Sequence, residues 1–211
     1  MLTDRKAIEI VSKAKQKNVR DPKRSRDHFH NIFEDFFDGL NFSGEYLDMG
    51  PGQYDFGVLA KARGADQCTA IEFDPAVVEL GEYLGFNVIE GNIKKYSHEM
   101  VSKKLFTGVF NKFSYNCFWY LNKPEQHKRF VAELTASVKE GGWAWIAPWN
   151  GVPKAKTVSE SLIQSQLDEQ VALFENNGFV TIPLNDDLAR KYGVHGAVAN
   201  NVIFHLAEKE N

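Results

Sequence analysis

The sequence predicts a doubly wound α/β fold, a mostly parallel sheet with helices on both faces, and three observations carry that prediction. An apolar run at Tyr46–Met49 ends in a turn with two glycines, Gly50 and Gly52, and a helical pattern through Tyr54, Val58, Leu59 and Ala62 begins at once. A second apolar run, Cys68–Phe73, closes on Asp74-Pro75 and passes directly into another helical pattern. Short apolar runs and helical patterns then keep alternating, which calls for crossover connections and therefore parallel strands.

Composition sets outer limits. With 211 residues, 43% of them hydrophobic, the chain can bury a substantial core as one domain, 1–211. A net charge of −3 lacks the basic excess of a general nucleic-acid binder. Cys68 and Cys117 lie in apolar or aromatic runs without a C-x-x-C or clustered histidines, so neither a disulfide framework nor a metal site is signalled. Met1–Lys6 has no apolar stretch behind it, and no window approaches the ~18 apolar residues of a membrane span. These features fit a soluble, cytoplasmic protein without membrane partners.

Residues 1–40 read as an N-terminal helical extension and 41–211 as the core. A helix is expected over 3–18, with Ala7, Ile8, Ile10, Val11 and Ala14 on one side. A basic stretch follows, so residues 1–30 carry +5 and the remainder −8. It is either a solvated segment or an anion-recognition element above a ligand site. From His28 to Leu40, Phe29, Ile32, Phe33, Phe36 and Phe37 keep helical spacing, a stripe suited to core packing. After the second strand, Pro75 opens a helix through Leu84, and a third strand covers Asn87–Glu90. Leu105–Asn111 is the fourth strand, and a helix is expected over Pro124–Lys139. A Gly141-Gly142 turn then leads into the fifth strand at Trp143. A helix through Leu162–Phe174, a sixth strand at Phe179–Ile182 and a seventh at Asn201–Leu206 complete the order.

The two-glycine turn is a nucleotide-loop layout, in which the backbone turns tightly and a helix N-terminus faces the ligand. The sixth position of a G-x-G-x-x-G fingerprint holds Asp55, a carboxylate that would repel a pyrophosphate, and no G-K-[ST] triplet is present. Glu72 lies twenty positions after Gly52 at the end of the next strand, where a carboxylate can accept both ribose hydroxyls of an adenosine.

Asp48-Met49-Gly50-Pro51-Gly52 resembles motif I of the class I S-adenosylmethionine-dependent methyltransferases, with Gln53 in place of the third glycine. The resemblance runs from about Glu45 to Leu206. It implies a seven-stranded sheet of order 3-2-1-4-5-7-6 with an antiparallel last strand, and S-adenosylmethionine as cofactor. It also implies transfer of the sulfonium methyl group to a nucleophile. Residues 1–40 would form a helical cap or lid over the site, Asp48 would hold the cofactor ammonium directly or through water, Gly50, Pro51 and Gly52 would lie along it, and Glu72 would take the ribose with Phe73 beside it. Asn92 stands where the family commonly has aspartate and would bond the adenine, with Ile93 on its face. Asn111 and Phe113, at the end of strand four, would also face the cofactor.

Acceptor contacts are expected from Tyr115, Trp149, Asn150 and Tyr192, and a general base from His195 or, second, His30. The expected acceptor is an oxygen or nitrogen of a small or glycan-like molecule, with an anionic group if the basic segment binds it. Three alternatives are open: an RNA methyltransferase using Lys23, Arg24 and Arg26, a non-catalytic S-adenosylmethionine-binding protein, and a nicotinamide-dependent oxidoreductase.

Overall fold

A computed structural model of the chain describes residues 4–15, 22–112, 114–115, 117–147, 159–182, 186–191 and 202–206. Two compact units emerge, Met1–Ile93 and Lys94–Asn211.

In the first unit three parallel strands, β1 (Glu45–Met49), β2 (Gln67–Glu72) and β3 (Asn87–Glu90), lie in the order β3-β2-β1. Four helices accompany them: α1 (Arg5–Ser12), α2 (Pro22–Phe36), α3 (Asp55–Ala62) and α4 (Pro75–Tyr83). Nearly every residue of β1 and β2 is buried, as expected of parallel strands covered on both faces. α1 starts where the Asp4 carboxylate accepts from Lys6 N–H, and it buries Ala7, Ile10 and Val11 where it packs on α4. The Tyr83 hydroxyl donates to Asp4 at 2.5 Å, which ties the two helices at the surface.

α2 begins at Pro22, six residues before the apolar stripe suggests. Proline is preorganised for the first helical position, so the helix takes in part of the basic stretch. Phe29, Ile32, Phe33 and Phe37 are buried, and Phe33, Phe37, Phe42, Tyr46 and Phe56 form one aromatic cluster with ring centroids 5.2–6.3 Å apart. The phenylalanine stripe is therefore core.

The second unit holds β4 (Phe106–Lys112), β5 (Val138–Ala147), β6 (Phe179–Ile182) and β7 (Val202–Leu206) in the order β4-β5-β7-β6. β4 and β5 are parallel, and β7 runs antiparallel to both of its neighbours. Helices α5 (Pro124–Thr135) and α6 (Glu160–Glu175) pack on each other, and a short α7 (Asp186–Lys191) follows β6. Phe110 stacks on Trp145 with centroids 4.8 Å apart, joining β4 to β5. The Gly141-Gly142 pair is not a turn ahead of the strand, as the sequence suggests, but lies within β5. Val138 pairs with Phe106 while Trp143 pairs with Gly108, so the extra residues form an irregularity in the ladder. Gly141 takes φ +67° there, and a Cβ on Gly142 would sit 2.7 Å from the Lys139 carbonyl oxygen. The preceding helix accordingly ends at Thr135 rather than Lys139.

No helix among the described residues is long and apolar enough to cross a membrane. Gly81, inside α4, faces a tight contact. A Cβ there would meet the Tyr54 hydroxyl at 2.1 Å and Val88 Cγ2 at 2.5 Å. Alanine gains about 1 kcal/mol of helix propensity over glycine, yet Gly81→Ala is expected to show a net loss of about 1–3 kcal/mol in chemical denaturation because the core is overpacked. Unchanged stability would mean that this contact relaxes freely.

Candidate functional site

The C-terminal ends of β1, β2 and β3 bring one set of expected residues together. Met49 is in register with Ile71 and Glu72 with Glu90, so Asp48, Gly50 and Glu72 emerge at one level of the sheet. Gly50 N–H donates to the Ile71 carbonyl at 3.0 Å, and Gly91 N–H to the Glu72 carbonyl at 2.8 Å, which ties the three strand ends. Gly50 and Gly52 take φ +77° and +57°, conformations in which a side chain would be strained. Pro51 is buried between them, and its carbonyl accepts from Tyr54 N–H at 2.9 Å to close the turn.

Tyr54 is a contributor that sequence reasoning missed. It reads as the first apolar position of a helix, but it stands as the N-cap of α3 in the left-handed conformation, φ +64°, with no side-chain cap. That backbone is costly for a tyrosine. Burial holds it in place: the hydroxyl donates to the Val77 carbonyl at 3.0 Å and the ring stacks on Phe86 at 5.0 Å. The loop is therefore fixed from beneath by α4. Asp74 supports the same corner, since one carboxylate oxygen caps α4 through Ala76 N–H and the other accepts from Lys15 N–H at 2.8 Å. The chain leaving α1 is thus fastened beside the end of β2.

Electrostatics distinguish this corner. Asp48 is 3% exposed, and its Oδ2 has no hydrogen-bond partner among the described residues. Burial pushes its carboxyl well above the usual carboxylate range, and the charges of Glu72 and Asp55 push the same way. Glu72 is also buried and raised, by burial first, against the pull of two backbone N–H groups: Oε1 accepts from Phe73 at 2.7 Å and from Asp74 at 2.9 Å. A buried carboxylate facing only other carboxylates is unfavourable until a proton or a cation joins it.

The other expected contacts divide. Phe73 is 51% exposed beside Glu72, an aromatic face open to a ligand, and Ile93 is buried at the start of a short 3₁₀ turn after β3, next to an exposed Asn92. His30 is exposed on α2. In the second unit, Asn111 at the end of β4 is wholly buried. Its Oδ1 accepts from the N–H groups of Ser114 and Tyr115, while its Nδ2 has no partner among the described residues.

Tyr115 lies inside the second unit instead of lining an acceptor pocket. It is 1% exposed, its ring stacks on Phe130 at 4.8 Å, and its hydroxyl bonds His127 Nε2 and Gln170 Oε1. The sequence shows an aromatic near a strand end, but not that α5 and α6 supply partners for its hydroxyl. His127, buried, also meets the Glu169 carboxylate at 3.0 Å; burial lowers its pKa while Glu169 opposes that shift. Phe113, Trp149, Asn150, Tyr192 and His195 lie outside the described residues. Among the described residues no cluster of histidine, cysteine and carboxylates could hold a metal ion. Both cysteines are buried free thiols, each pushed up to about 12 by burial.

A carboxyl with a folded-state pKa above its unfolded value destabilises the fold as pH rises from the unfolded value, 3.8, through the folded one. Asp48→Asn removes that ionisation and keeps the shape. The ligand-free variant is expected to be more stable than wild type at neutral pH, with the gap closing as pH falls toward 4. Between the two pKa values the slope is up to about 1.4 kcal/mol per pH unit. Thermal melts across that range measure it, and a gap that widens on acidification would contradict the assignment.

No protein-family profile matches the chain, and no curated protein sequence matches it. Solved structures do. DhpI, in complex with SAH, superposes with a TM-score of 0.59 at 12% identity over 97% of this chain and 95% of that one. The N-methyltransferase NodS from Bradyrhizobium japonicum, in complex with S-adenosyl-L-homocysteine, gives 0.54 at 10% identity over 94% and 95%. An O-methyltransferase family protein from Burkholderia thailandensis gives 0.54 at 12% identity over 92% of this chain, which spans 63% of that protein's length. The chain thus has the α/β Rossmann-like fold, with a mostly parallel sheet, that these proteins share.

Proposed function

We propose that this chain is an S-adenosylmethionine-dependent methyltransferase acting on an oxygen or nitrogen of a small or glycan-like acceptor. The observation that carries the reading is Asp48, a buried carboxylate with one oxygen that has no hydrogen-bond partner among the described residues, beside a two-glycine turn. The amino-acid end of S-adenosylmethionine offers an ammonium to such a group, and its sulfonium adds a second positive charge nearby. A dinucleotide would bring phosphates instead, against the Asp55 carboxylate at the start of α3, so an oxidoreductase reading meets the wrong sign of charge there.

In this reading Asp48 holds the ammonium, and the Gly50–Gly52 backbone lies along the cofactor. The Glu72 carboxylate accepts the ribose hydroxyls while its backbone bonds hold it in position. Phe73 and Ile93 flank the adenine, and Asn92 bonds its edge. When bound, the cofactor supplies a methyl group already activated as an electrophile by positive sulfur. The protein's contribution is then alignment and exclusion of water, with a base required only for an acceptor that carries a proton at neutral pH. For that base His195 stays ahead of His30. The N-terminal segment is the element with the excess of positive charge, which favours an acceptor bearing an anionic group. The seven-strand order expected from the sequence and a cytoplasmic location belong to the same reading.

Calorimetric titration tests it. S-adenosylhomocysteine is expected to bind and NADH not to, and Glu72→Ala is expected to weaken binding at least tenfold, about 1.4 kcal/mol or more, with the circular dichroism spectrum unchanged. Equal affinity in wild type and variant would sink the ribose assignment.

A further inference from the structure

Asp48 poses a question that the methyl-donor reading leaves open: what neutralises it when no ligand is present. Among the described residues of the first unit, the groups facing it are acidic or weakly acidic. From β2 come Glu72 and the Cys68 thiol, and from the start of α3 come Asp55 and the Tyr54 hydroxyl. The Tyr54 proton is already committed to the Val77 carbonyl, and the two N–H groups at the end of β2 go to Glu72 Oε1. Among the described residues, the charges acting on Asp48 are those of Glu72 and Asp55, both negative. With the side chain 3% exposed and Oδ2 without a partner among the described residues, solvent does little to compensate.

We propose that Asp48 carries a proton in the free protein and exchanges it for the ligand's ammonium, so that cofactor binding releases a proton. This rests on the methyl-donor reading and adds to it. The exchange balances simply. The carboxyl O–H bond breaks, its proton leaves to solvent, and the carboxylate left behind pairs with an ammonium that was already protonated in water. Burial and the neighbouring carboxylates favour the protonated form before binding, whereas the ion pair favours the ionised form after it. One consequence is directional: affinity rises with pH, on the order of tenfold per pH unit while a full proton is released. The effect fades above pH ~8, where a free α-amino group loses its own proton. A second consequence concerns choice of ligand. An adenosine compound without the amino-acid end gives the carboxyl no reason to ionise.

The test is calorimetry of the full chain between pH 5 and 8 in buffers of different ionisation enthalpy, which counts protons. S-adenosylhomocysteine is expected to release up to about one proton, and 5′-methylthioadenosine, which lacks the ammonium, none. Asp48→Asn is expected to abolish the release. Glu72→Gln is expected to keep it and move it to lower pH, because one repelling charge is gone. Should Asp48→Asn fail to fold, the contrast between the two ligands on wild type decides alone. S-adenosylhomocysteine binding without net proton release anywhere in that range overturns the inference, as does release that persists in Asp48→Asn or occurs equally with 5′-methylthioadenosine. Failure of wild type to bind S-adenosylhomocysteine at any pH overturns the donor reading and this inference with it.

Discussion

A carboxylate buried with no counter-charge facing it among the described residues is the constraint around which the first unit is arranged. Asp48 comes into the interior because β1 is covered on both faces, and the strand ends one residue later. The chain must then turn at once, which Gly50 and Gly52 permit, and it must hold that turn firmly enough to keep a backbone surface open to a ligand. Tyr54 supplies the hold. Its left-handed backbone persists because its ring and hydroxyl are locked against Phe86 and Val77, and Gly81 leaves room for it. Strain at the mouth of the site is thus offset by packing behind it.

The same corner gathers support from a distance along the chain. Asp74 caps α4 with one oxygen and accepts Lys15 N–H with the other, so the segment leaving α1 is fixed beside the strand end that carries Glu72. α1 and α2 pack through apolar and aromatic residues, which makes the N-terminal region part of the core layer as well as a candidate cover. In the second unit, Tyr115, His127, Glu169 and Gln170 join the residues after β4 to α5 and α6 through side-chain bonds.

Much of this was legible in the sequence because its signals are local. The apolar run into Gly50 and Gly52, the spacing to Glu72 and the proline after Asp74 each depend on neighbours a few residues away, and the structure has β1, β2 and α4 where they indicate. What escaped depends on distant partners. The left-handed Tyr54 is stable only with α4 behind it. The irregularity in β5 exists because Trp143 must meet Gly108, where an added Cβ would lie 2.4 Å from the indole, and nothing between Val138 and Trp143 announces that pairing. Tyr115 looked like a pocket residue because an aromatic near a strand end is ambiguous until its hydroxyl partners are known. The early start of α2 was the exception: Pro22 signalled it, and the charge of the following residues hid the signal.

The shared fold speaks to the scaffold, and the sign of the charge at Asp48 speaks to the ligand. A crystal structure with S-adenosylhomocysteine joins the two most directly. The ligand's ammonium is expected within hydrogen-bond distance of the Asp48 carboxylate, about 2.7–3.2 Å, with both ribose hydroxyls on Glu72. A ligand bound elsewhere, or bound with Asp48 still lacking a positive partner, would contradict it.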